Sequence, residues 1–179
     1  MQTRSLLTRM ALGLVPAVGL GAVAWTPALD RDTVSGTFTG TFASRNAHEV
    51  ADAPGHIVGV VLSQGTNRST GPTEYMPGAS VVNLETHDLV RGNGPHQGYV
   101  TFSLGPDTAI SKWSGKVTTV LGADQRPVTT LEGTWTKIAG TGRYAAATGR
   151  GAYKGRMTSE TQYLLEWSGE MSGIGVASR

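Results

Sequence analysis

The side chains best suited to moving a proton in this chain lie in the stretch G-T-N-R-S-T-G-P-T-E-Y-M-P-G, residues 65–78. Glu74 stands beside Tyr75, and an acid next to an aromatic ring can be partly desolvated, which raises its pKa into the range useful for general acid–base work. Asn67 in the same stretch offers an amide to orient a ligand. His56 opens the run H-I-V-G-V-V-L-S-Q, residues 56–64, and shares one period-two face with Val58, Val60, Leu62 and Gln64. A histidine at the start of an apolar face, with Gln64 at its far end, marks a pocket mouth and supplies a group that titrates near neutrality. Glu74, His56 and Tyr75 are thus the candidate catalytic residues, and Gln64 and Asn67 candidate ligand contacts. Asn83 joins them if its face, shared with Glu85 and opposite Val82 and Leu84, points inward. Each has a plainer reading: a solvated loop acid, a histidine satisfied at a rim, amides that only cap turns.

Other chemistry is poorly served. There is no cysteine, which removes thiol nucleophiles, thiolate metal sites and disulfides. His87, Asp88 and His96 are close in sequence, but their spacing specifies no metal, and none is expected. No G-x-S-x-G elbow is present. The net charge of +2 comes without a dense Lys/Arg cluster, so nucleic acid is not an expected partner.

Residues 140–145, G-T-G-R-Y-A, match the G-x-G-x-x-A loop of dinucleotide-binding folds. Such a loop must open a helix within a strand–helix–strand unit. Here Gly149, Gly151 and Gly155 follow, and glycines so close together prevent a stable helix. The pattern reads instead as a tight crossing between two strands, with Gly140 and Gly142 supplying positive φ and Ala145–Ala147 letting backbones pack closely. No nucleotide or other cofactor is expected.

These residues must be positioned by strands. Beyond residue 30 helical periodicity is almost absent, and short runs rich in Val, Thr, Phe, Tyr and Trp are separated by Gly, Pro, Asn and Asp. Strands are predicted at 33–42, 56–64, 79–85, 97–104, 108–121, 127–138, 149–157 and 160–170, with long polar connections at 43–55, 65–78 and 86–96. Val34, Phe38 and Phe42 share a face with Gly36 and Gly40 on the first, and the two phenylalanines are expected to fill core. Glycines inside strands weaken a flat sheet but permit the coiling that closes a small barrel. An all-β, eight-stranded antiparallel barrel follows. Such a barrel has room for one small ligand or for its own side chains. The mid-strand aromatics Tyr99, Trp113, Trp135, Tyr153 and Trp167 then wall its lumen or simply pack it, and Tyr99, Trp113 and Trp135 are counted among the ligand-binding candidates.

The segment E-G-T-W-T-K-I-A-G-T-G-R-Y-A-A-A-T-G-R-G-A-Y resembles the hairpin signature of the allene oxide cyclase and dirigent superfamily, and G-N-G-P-H-Q-G-Y-V-T-F, residues 92–102, is similar to bacterial members. The resemblance implies an allene-oxide-cyclase-like, calycin-like barrel. Dirigent proteins usually carry an arginine where this chain has Thr148, so radical coupling is not implied, and no catalytic residue of the cyclases carries over. The expected function is confinement of a small apolar or aromatic molecule and its isomerisation, cyclisation or elimination without a cofactor. The alternative is a lipocalin-like carrier of such a molecule. Arg4 and Arg9, the apolar run from Met10 to Trp25 and the small-x-small triplet Ala22-Val23-Ala24 read as a signal peptide over 1–24, preceding a single barrel domain over 31–179. The mature protein is accordingly expected to be secreted or periplasmic, with no membrane association after cleavage, and to form a dimer or trimer if it self-associates.

Overall fold

Eight strands form in chain order, β1 (Arg31–Glu49), β2 (His56–Ser69), β3 (Ser80–Val90), β4 (Gly94–Leu104), β5 (Asp107–Leu121), β6 (Pro127–Thr141), β7 (Thr148–Met157) and β8 (Gln162–Ser172). Each pairs antiparallel with its neighbours, and β1 pairs with β8, so the sheet closes on itself without an edge over its shared length. The computed structural model describes residues 31–175, and the expected signal peptide lies outside them. Among the described residues the only helical element is a single 3₁₀ turn, Gly142–Tyr144.

All eight predicted strands are present, but several are longer than their apolar runs. β2 continues through Ser69, so the connection expected at 65–78 shrinks to residues 70–79. The connection expected at 86–96 is only residues 91–93. β1 runs on to Glu49, and its pairing shifts register between Phe42 and Ser44. Beyond Thr41 it has left β8 and pairs with β2 alone, so residues 43–49 are an exposed polar ribbon. The ribbon at 43–49 lies in solvent and needs no apolar alternation. The extensions of β2, β3 and β4 turn polar or glycine residues such as Gly65, Asn67, His87 and His96 inward, so the apolar pattern stopped short of the strand ends.

The inner face is set by glycines. Val34, Gly36, Phe38 and Gly40 of β1 point inward, as predicted, while Thr33, Ser35, Thr37, Thr39 and Thr41 lie on the other face. On β2 the expectation fails. Val61, Ser63 and Asn67 are buried, whereas Val58, Val60 and Gln64 are exposed. The more hydrophobic face looks outward because the inward space is already filled by rings from distant strands. On β4, Tyr99 likewise lies outside, 46% exposed, with Leu62, Leu84 and Tyr99 in register across the outer surface.

One end of the barrel is stoppered by the 70–79 connection, which inserts Tyr75, Met76 and Ala79, and by the turn after β6, which inserts Tyr144 and Ala147. The turn matches the reading of residues 140–151 as a strand crossing. Gly142 has φ of +56°, and Asp107 caps the turn by accepting from the Arg143 amide at 2.9 Å and its Nε at 2.8 Å. Gly140 does not adopt a positive φ. It is needed for space, since a Cβ there would lie 2.6 Å from the Thr108 carbonyl oxygen and 2.7 Å from that of Tyr144.

Candidate functional site

Buried polar side chains in the lumen find their partners by a repeated device. A ring on one strand lies across a glycine of the adjacent strand and reaches a polar residue on the strand beyond. Trp113 of β5 passes over Gly98 of β4 and donates from Nε1 to Asn83 Oδ1 of β3 at 2.8 Å. Trp167 of β8 passes over Gly36 of β1 and donates to Asn67 Oδ1 of β2 at 3.2 Å. Tyr163 of β8 covers Gly40 of β1, with its hydroxyl 2.7 Å from Ser63 Oγ of β2. Tyr153 of β7 goes further. His96, Gly115, Gly133 and Tyr153 are register partners on four successive strands, and the phenol crosses both glycines to place its oxygen 2.9 Å from His96 Nε2. A buried polar group without a partner costs about 1–3 kcal/mol, so these placements are strongly favoured.

The two tyrosines run opposite ways round the wall, Tyr163 to β2 and Tyr153 to β4, and the remaining polar groups stand between them on β3. The inward face of β3 carries Val81, Asn83, Glu85, His87 and Leu89, so the polar face is the inner one. Glu85 Oε1 is 3.5 Å from His87 Nδ1 and 3.4 Å from His96 Nδ1. Both contacts exceed ordinary hydrogen-bond length, and among the described residues His96 Nδ1 and His87 Nε2 have no hydrogen-bond partner. Burial pushes the Glu85 carboxyl upward, but the two imidazoles outweigh it and hold the group below the usual carboxylate range. Glu85 is therefore ionised. Desolvation raises Tyr153 well above the ordinary phenol value, so it is neutral and can give its proton only to a neighbour.

A carboxylate near one imidazole nitrogen and a phenol on the other make the two sides of the His96 ring unlike. The Glu85 charge favours the tautomer with hydrogen on His96 Nδ1, which leaves Nε2 as acceptor for the Tyr153 hydroxyl. Tyr153, His96 and Glu85 all line one cavity of about 60 Å³, whose other walls include Phe38, Val100, Leu131 and Leu165. An apolar cavity of about 150 Å³ accepts benzene. Here a ligand of more than a few heavy atoms must displace a side chain.

Of the predicted site residues, Tyr75, Asn83, Trp113 and Trp135 line this cavity. Asn67 is buried beside it and holds the stopper, its Nδ2 donating to the carbonyls of Tyr75 at 2.7 Å and Met76 at 3.0 Å. Gln64 and Tyr99 lie on the outer surface. Glu74 is exposed on the outside of the stopper, whereas Tyr75 and Met76 beside it are buried. His56 stands outside the lumen between two aspartates, 2.5 Å from Asp52 and 2.6 Å from Asp88. That alternation also separates Asp88 from His87 and His96, which face inward. Sequence reasoning missed Glu85, His96 and Tyr153 as a unit. The available signal was the alternation Asn83, Glu85, His87 on one face, together with glycines at period-two positions opposite the aromatic residues.

No protein-family model matches the chain, and no curated protein matches it.

Proposed function

We propose that the barrel confines a small apolar molecule and catalyses its isomerisation, cyclisation or elimination by proton transfer, without a cofactor, outside the cytoplasm. The observation that carries this reading is the Glu85–His96–Tyr153 series opening on an otherwise largely apolar cavity. Tyr153 meets the ligand, His96 relays the proton, and Glu85 compensates the imidazolium that results. Confinement by the rings supplies orientation, and a positioned acid–base group contributes about 10²–10⁴-fold. The resemblance to allene oxide cyclases and dirigent proteins supports the class of reaction and not a substrate. The lipocalin-like carrier is the second reading, favoured by the hydrocarbon and aromatic walls.

A panel of small alkenes, cyclic ketones and epoxides tests this, with binding read from the fluorescence of Trp113, Trp135 and Trp167 and conversion by NMR. Glu85→Gln should leave binding unchanged and lower conversion by about 10²-fold or more. Glu74→Gln, altered outside the lumen, should convert normally. Binding without conversion by the wild type would establish the carrier, and full activity in Glu85→Gln would end the proton-transfer reading.

A further inference from the structure

We infer that Tyr163 and Asn83 form a carbonyl-binding subsite, and that the molecule taken up is a small neutral ketone or aldehyde bearing hydrogen on the carbon next to its C=O. This rests on the proton-transfer reading above and adds the chemical class on which it acts.

The amide orientation of Asn83 is fixed. Trp113 Nε1 is donor only, so the atom facing it is Oδ1, and Nδ2 is left facing the Tyr163 oxygen in a long contact of 3.4 Å. Ser63 Oγ, 2.7 Å from the same oxygen, can supply a hydrogen. With Ser63 as the donor in that contact, the Tyr163 proton is free for a ligand in the cavity that the residue lines. Phe38 and Phe42 pack on the ring and hold it there. Burial pushes this phenol up to about 12, so near neutrality it serves as a donor and not as a base. Among the described residues no Lys or Arg lines the cavity and the ionised Glu85 does, so an anionic ligand is repelled. A neutral oxygen acceptor on a small apolar frame is what remains.

The two phenols then have complementary parts. With a carbonyl oxygen on Tyr163, the neighbouring C–H bond breaks as Tyr153 takes its proton and passes its own to His96 Nε2. The C–H electron pair becomes a carbon–carbon π bond, and the C=O π pair moves onto the oxygen that Tyr163 holds. Return of the proton to the same carbon exchanges hydrogen. Return two carbons further along an unsaturated chain shifts the double bond. His96 ends neutral and nothing is oxidised or reduced.

Acetone labelled with ¹³C at the carbonyl is small enough to probe this, with isobutene as its oxygen-free counterpart of the same shape. The C=O stretch of bound acetone should fall in wavenumber in the wild type and return towards its unperturbed position in Tyr163→Phe. Tyr163→Phe should weaken acetone about five- to tenfold relative to isobutene, the worth of one hydrogen bond. Ser63→Ala, which leaves the ring in place, should reduce the shift. In D₂O, deuterium should enter the methyl groups with the wild type and far more slowly with Glu85→Gln. An unshifted stretch in the wild type, or acetone and isobutene weakened alike in Tyr163→Phe, would overturn the subsite even if the wider panel is converted. A shifted stretch without deuterium uptake would instead uphold the subsite and remove the proton-transfer reading.

Discussion

His56 is held by two carboxylates at once, Asp52 on Nδ1 and Asp88 on Nε2, so both ring nitrogens donate and the ring is the imidazolium. The Asp52 hydrogen bond and then that of Asp88 raise the histidine pKa, and the bond to His56 lowers that of Asp52. Because the folded histidine binds its proton more tightly than the unfolded one, its contribution is full below about pH 6.5 and is lost as pH rises through the raised value. Asp52 behaves oppositely. Its contribution is full above about pH 4 and is lost as pH falls through the lowered value. The clamp ties the β1–β2 turn to β3, and its effect should peak between these limits. Thermal unfolding of wild type and His56→Gln across pH checks this. The gap in melting temperature should be widest near pH 5 to 6 and narrow as pH rises through the raised histidine value. A gap that grows with pH would show that the pairing is not ionic.

The turn joining β6 to β7 shows what one element demands of its residues. Gly142 occupies the left-handed region, and a Cβ there would also strike Asp107 Oδ1. Gly142→Val should therefore destabilise the protein by about 1–3 kcal/mol through backbone strain alone. Loss of the Asp107–Arg143 pairing should accompany it, and chemical denaturation gives the total. A variant as stable as the wild type would mean that the turn relaxes without that φ. This element was legible in the sequence because its glycines and the lack of a following helix act locally. The strands were legible for the same reason, each carrying its own alternation and turn signals. Facing was not. On β2 the inward series Gly59, Val61, Ser63, Gly65 and Asn67 is less apolar than the outward Val58, Val60 and Leu62, so hydrophobicity chose the wrong side. The site was harder still, because Tyr153 and His96 meet across 57 positions, over glycines of two intervening strands.

At the scale of the molecule, a closed sheet without cysteine holds itself by its interior. Fully burying one large apolar side chain is worth about 1.5–3 kcal/mol, and the lumen buries Tyr75, Tyr144, Tyr153, Tyr163, Trp113 and Trp167 together. Such a barrel needs no oxidising compartment to fold, so the proposed export must be tested directly. Mass spectrometry of the protein from extracytoplasmic fractions should find a mature terminus near Trp25. An intact Met1 in a membrane fraction would mean an anchor in place of a cleaved signal. The glycines beneath the rings have a consequence that reaches past stability. At Gly40 the three nearest atoms to an added methyl all belong to Tyr163, so that methyl would move the phenol and leave every polar residue of the lumen unchanged. Two chains could then share Ser63, Asn83, Glu85, His96 and both tyrosines and still hold different chemistry, distinguished only by a position that carries no functional group. On the proposed function, selectivity can diverge through residues that never touch the ligand, and an inventory of polar side chains would miss the change.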